Sequence, residues 1–116
     1  NGNAKGITSN SLNELFIVEG TAKVFQSTDS GVSWSLVNND YNGVIGNDAT
    51  DMFQDSLDNL YILHNQDVWK SINSGTNWTL VSDDFNGGND SNSGIVMYID
   101  SNDYIYIADG SEDIYK

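Results

Sequence analysis

Apolar residues fall along the chain in short clusters separated by polar turn residues, and the clusters recur. The segments "NSLNELFIV", "DSLDNLYIL" and "DSNDYIYIA" align on Phe16, Tyr61 and Tyr106, whose spacings (61 − 16 and 106 − 61) are both 45. "KVFQS", "DVWKS" and "DIYK" follow them in turn, and "NNDYNG" and "DDFNGG" close the first two units. A repeat of this length marks one supersecondary unit that buries its apolar face against its neighbours. Four apolar segments occur in the second unit: Asp51–Gln54, Leu60–Leu63, Asp67–Ser71 and Asn77–Val81. They are rich in β-branched and aromatic residues and alternate apolar with polar, as in Val68/Lys70 and Trp78/Leu80, which predicts strands. About 11 residues per strand and turn leave no room for helices. The pattern therefore predicts an all-β chain, with residues 15–18, 60–63 and 105–108 as equivalent central strands and 34–37 and 78–81 as outer ones.

Four antiparallel strands in roughly 40–45 residues is the pattern of a β-propeller blade. The units divide as residues 1–43, 44–88 and 89–116, the last with three strands. Two turns sharpen this reading. "STDSGVSW" (Ser27 to Trp34) and "SINSGTNW" (Ser71 to Trp78) place Ser, Asp or Asn, Gly and Trp at the same spacing, with the tryptophans 44 residues apart (78 − 34). Asp and Ser side chains accept backbone N–H bonds in tight turns, Gly supplies a positive φ, and Trp can cover the hairpin with its apolar face. The pattern resembles the Asp-box, or BNR-like, repeat S-x-D-x-G-x-[ST]-W of sialidase-like and sortilin-like propellers. Ser27, Asp29, Gly31, Ser33 and Trp34 match it in full; Ser71, Gly75 and Trp78 match, while Asn73 and Asn77 depart from it. The resemblance implies a hairpin between the third and fourth strands of a blade, structural and remote from a central site. It also implies a buried Trp34 and Trp78. The strand count of four, four and three leads to the expectation that the chain is part of a longer propeller or is completed by a different chain, with remaining blades as its first partners. An initial Asn rather than Met accords with a processed form or fragment.

Charge narrows the functions. Seventeen acidic residues face four Lys and no Arg, a net charge of −13. Such a surface repels phosphate backbones and anionic membranes, so no nucleic-acid partner is expected. No apolar run approaches the roughly 18 residues of a membrane helix, and no membrane insertion is expected. The acidity suits an extracellular, secreted or cell-surface setting. Without Arg the chain lacks the bidentate clamp that sialidases place on a substrate carboxylate, which disfavours that activity. There is no Cys and no Pro, so turns fall to Gly, Asn, Asp and Ser.

The remaining candidates for chemistry are few. A glycosidase needs two carboxylates roughly 5–10 Å apart; Asp51, Asp55 and Asp58 lie near strand ends and read as turn residues instead. His64, the single histidine, stands where the other units have Glu19 and Asp109. "SDDFNGGNDSN" offers Asp83, Asp84, Asn86, Asn89 and Asp90, oxygen donors of the kind calcium takes, but without the bidentate Glu of an EF-hand. Asn77 and Asn89 begin N-x-[ST] sequons. Phe16, Tyr61 and Tyr106 could stack on a sugar but fit packing between blades better. The sequence thus points to a non-catalytic scaffold or binding module of a larger protein, with a glycan or protein ligand. The alternatives are a segment of a propeller-type glycoside hydrolase and an adhesin or surface-filament component.

Overall fold

A computed structural model describes residues 3–43, 49–85 and 93–116. They form eleven strands and no helix. The first sheet holds β1 (Ala4–Ser9), β2 (Leu15–Glu19), β3 (Val24–Ser27) and β4 (Ser35–Asn38). The second holds β5 (Asp51–Gln54), β6 (Leu60–His64), β7 (Asp67–Ser71) and β8 (Thr79–Ser82). The third holds β9 (Gly94–Ile99), β10 (Ile105–Asp109) and β11 (Ile114–Tyr115). Every sheet is an antiparallel meander in chain order. The register is the same in each: Phe16 lies opposite Thr8, Tyr61 opposite Phe53, and Tyr106 opposite Tyr98.

The core lies between the sheets. Side chains of a strand alternate between its two faces, and in β6 all five residues are buried. Leu60 and Ile62 join Phe16, Val18, Val24 and Met52 in one apolar layer toward the first sheet. Tyr61 and Leu63 join Met97, Ile99 and Ile107 in another toward the third. Burying one such side chain is worth roughly 1.5–3 kcal/mol, so β6 draws stability from both neighbours. In β2 burial alternates instead: Phe16 and Val18 are covered while Leu15 and Ile17 are only partly so. The first sheets approach closely enough at β1 and β5 that a Cβ on Gly6 would collide with the backbone of Met52.

Phe16 and Tyr61 are packing residues between sheets, as their spacing suggested, and Tyr106 is half-buried. The central strands fall where predicted. Two expectations need correction. The outer strands begin one residue later than 34–37 and 78–81, because each Trp still belongs to its turn: the indole Nε1 of Trp34 donates to Gly31 O (3.2 Å) and that of Trp78 to Gly75 O (2.8 Å). The other concerns burial of the tryptophans. Trp78 packs against the first apolar layer, but Trp34 is 37% exposed. The reason is directional. The Ser71–Trp78 turn leans back on the preceding sheet, where Gly75 sits against Val24 and Val37, with Leu60 of its own sheet beside them. The Ser27–Trp34 turn has no such sheet before it among the described residues.

Removing the two rings should therefore have unequal effects. Trp78→Ala is expected to cost about 2–3 kcal/mol, somewhat less than a fully buried Trp, and Trp34→Ala about 1 kcal/mol or less. Denaturant unfolding of both variants measures the difference; equal losses would contradict the packing described.

Candidate functional site

Two polar constellations recur across the sheets, each beginning with a local backbone requirement, and a third stands at one place between them. The first is the turn between the third and fourth strands. Ser27 is buried; its Oγ accepts from Gly31 N (2.8 Å) and donates to Asp29 Oδ1 (2.8 Å), which in turn accepts from Ser33 N (2.8 Å). The second copy repeats this with Ser71, Gly75, Asn73 and Asn77: Gly75 N to Ser71 Oγ is 3.0 Å and Asn77 N to Asn73 Oδ1 is 2.9 Å. Gly31 and Gly75 have φ of +87° and +80°, where a Cβ would strain the backbone. Asn73 thus replaces Asp29 in the amide bond but not in the second bond, which runs from Ser33 Oγ to Asp29 Oδ2. The Ser33 hydroxyl and amide, with Ser27, hold the Asp29 carboxyl well below its ordinary value, at about 2.

The second constellation joins neighbouring sheets. In the turn after each first strand, Asn10, Asp55 or Asp100 accepts two backbone amides, as in Leu57 N (3.0 Å) and Asn59 N (2.9 Å) on Asp55 Oδ1. Three residues on, Asn13, Asp58 and Asp103 have φ of 60°, 62° and 62°, a region Asn and Asp enter readily. That conformation presents Asp58 to the preceding sheet, where it accepts from Ser11 N (2.8 Å) and Ser11 Oγ. One repeat later Asp103 accepts from Ser56 N (2.8 Å) and Ser56 Oγ (2.7 Å). Sequence reasoning saw Asp55 and Asp58 only as turn formers and did not single out Ser11, Ser56 or Asp103; the signal was the recurrence of Ser11, Ser56 and Ser101 at 45-residue intervals.

The third lies beside a cleft of about 480 Å³ between the second and third sheets, lined by Val68, Lys70, Val81, Phe85, Ile105 and Tyr115 among others. Lys70 stands 3.9 Å from Asp55 Oδ2 and 5.1 Å from the Tyr61 ring centroid. Burial acts to raise the Asp55 carboxyl, but bonds from Asn59, Leu57 and Tyr61 outweigh it and hold it below its ordinary value. Burial raises the Tyr61 hydroxyl.

The carboxylates singled out from sequence are thus engaged by the architecture. Asp51 begins β5, and accepts from Met52 N (2.8 Å) and Met97 N (3.0 Å), tying the second sheet to the third. His64 is buried at the end of β6, with Nδ1 at 3.0 Å from Tyr41 Oη and 2.8 Å from Asn42 Nδ2. Of the calcium candidates, Asp83 and Asp84 are described, while Asn86, Asn89 and Asp90 lie outside the described residues. Among the described residues no group of three or more acidic or His side chains could hold a metal ion.

No family model matches the sequence, and no curated protein matches it. The fold is nevertheless similar to solved propeller-type structures. YCF48 bound to D1 peptide superposes with a TM-score of 0.71 at 16% identity, over 97% of this chain and 36% of that one. The GH74 enzyme of Niastella koreensis gives 0.68 at 22% identity, over 90% and 17%. Virginiamycin B lyase from Staphylococcus aureus gives 0.65 at 10% identity, over 97% and 40%. The chain therefore spans well under half the length of each, and what it shares with them is the fold: consecutive antiparallel blades of a β-propeller.

Two outcomes test the polar constellations. With a folded pKa of about 2 against an ordinary 3.8, Asp29 stabilises the chain fully above about pH 5, and that contribution fades as pH falls through 2. The melting-temperature gap between wild type and Asp29→Asn should accordingly be widest near pH 6 and close toward pH 2. A gap independent of pH would refute the assignment. For the inter-sheet bonds, a double-mutant cycle on Ser56→Ala and Asp103→Ala should yield a coupling of about 1 kcal/mol; no coupling would mean that the bonds add nothing to the joint.

Proposed function

We propose that the chain is a non-catalytic scaffold or binding module of Asp-box type, within the propeller of a larger extracellular or cell-surface protein. The observation that carries this reading is the use made of the acidic side chains. Asp29, Asp51, Asp55, Asp58, Asp100 and Asp103 each accept hydrogen bonds that close a turn or join two blades. A general acid must hold a proton near neutral pH, whereas Asp29 and Asp55 are pushed the opposite way. The partners in this reading are the remaining blades and a glycan or protein ligand. A secreted setting fits a net charge of −13.

The likeness to a GH74 enzyme favours one other reading, a segment of a glycoside hydrolase whose acid and base lie on other blades. Both readings leave this chain itself without a catalytic pair, and one experiment tests that. Purified chain incubated with sialoside and aryl-glycoside reporters is expected to release no product above the buffer control. Saturable turnover that scales with the concentration of pure chain would overturn the non-catalytic reading.

A further inference from the structure

The two inter-blade spaces of this chain are built from equivalent residues but filled differently. Between the first and second blades, three rings cluster edge-on and tilted: Tyr41 lies 6.1 Å from Trp69 and 5.9 Å from Trp78, centroid to centroid. Beside them Gly75 rests on Val24, Val37 and Leu60, so closely that an added Cβ would come within 3.2 Å of the first. Trp78 and Gly75 both arrive on the Ser71–Trp78 turn, and Asn38 Nδ2 fixes that turn by donating to Thr76 O (2.9 Å).

One repeat later, the same positions carry Phe85 and Tyr115, 5.2 Å apart, in place of Tyr41 and Trp69. Register makes the correspondence firm: Ile62 pairs with Trp69 as Ile107 pairs with Tyr115. Val68, Val81 and Ile105 stand where Val24, Val37 and Leu60 stand in the first space. All five of these side chains line the 480 Å³ cleft. Among the described residues the third ring and the glycine have no counterpart there, and β11 has β10 on one edge only.

We propose that this cleft is the seat of a turn of the pattern S-x-[DN]-x-G-x-x-W. The occupant is a strand-and-turn segment outside these 116 residues that pairs with β11. Its Gly lies on Val68, Val81 and Ile105, and its Trp completes the ring cluster of Phe85 and Tyr115. Edge-strand addition supplies the backbone bonds, and the cleft supplies the choice of side chain. A glycine suits the first contact, since at Gly75 an added Cβ would press within 3.2 Å of Val24, and a large ring extends the pair of Phe85 and Tyr115. The proposal rests on the reading of the chain as part of a larger propeller, but not on whether that propeller is catalytic.

The register allows a direct test. Ile114, Tyr115 and Lys116 correspond to Val68, Trp69 and Lys70, so a copy of residues 71–82 (SINSGTNWTLVS) appended directly after Lys116 enters in phase. The extended chain is expected to melt about 5 °C or more above the 116-residue chain. The methyl resonances of Val68, Val81 and Ile105 should shift on extension. Extensions carrying Gly75→Val or Trp78→Ala in the appended copy should lose most of the gain, and they leave the parent chain intact. Equal melting of the extended, substituted and unextended chains would overturn the proposal. So would closure of the cleft by a second copy, seen as shifts of the same methyls with protein concentration in the unextended chain and no effect of the appended segment.

Discussion

A β-sheet with two apolar faces is stable only when something covers both, and everything else in this chain follows from that demand. The middle blade meets it, with Leu60 and Ile62 on one side of β6 and Tyr61 and Leu63 on the other. The first and third blades each meet it on one face. Their other faces carry exposed apolar groups such as Ile7 and Ile114. Stability is thus a property of adjacent pairs rather than of single blades, as in other repeat proteins. The approach of Gly6 to Met52 and the reach of Asp51 to Met97 are two solutions to the same joint, one by removing a side chain and one by using it as a bridge.

The polar residues keep that stacking in register. A chain without Pro must make its turns with residues that enter positive φ or cap amides from their side chains, and here Asn, Asp, Ser and Gly do both. This accounts for much of an otherwise extreme charge. Carboxylates such as Asp29, Asp55, Asp58, Asp100 and Asp103, which would repel one another as bare surface charge, are matched to N–H or O–H donors. Asp29 and Asp100 consequently stay ionised more readily than ordinary carboxylates, through the Ser33 side chain and the Tyr104 amide respectively.

How much of this could be read from the sequence depends on how local each requirement is. The recurrence of Phe16, Tyr61 and Tyr106 was legible because burial between blades demands an apolar residue at one place in every repeat. The Ser27–Trp34 turn was legible because its Ser, Asp and Gly each answer a need of the same few backbone atoms. The exposure of Trp34 was not: it depends on which blade the turn leans on, and that is a fact about a neighbour. The bonds from Ser11 to Asp58 were hidden for a related reason. Both residues already explain themselves as turn formers, and only the stacking of blades brings positions 47 apart into contact. The cleft between the second and third blades was the least legible, since it is defined by side-chain volumes around a space.

The pairing of Ser11 with Asp58 and Ser56 with Asp103 also gives the array a mechanical grain. Each clasp spans little more than one repeat, so among the described residues no contact of this kind ties the first blade to the third. A force applied to the chain's ends meets joints in series, each closed by a Ser–Asp clasp, a further polar bond and an apolar layer. Blades peel away singly, and a blade that returns needs only its immediate neighbour as a template. The same grain suits synthesis from one end, because a completed blade offers its finished face to the next before any distant part of the protein exists.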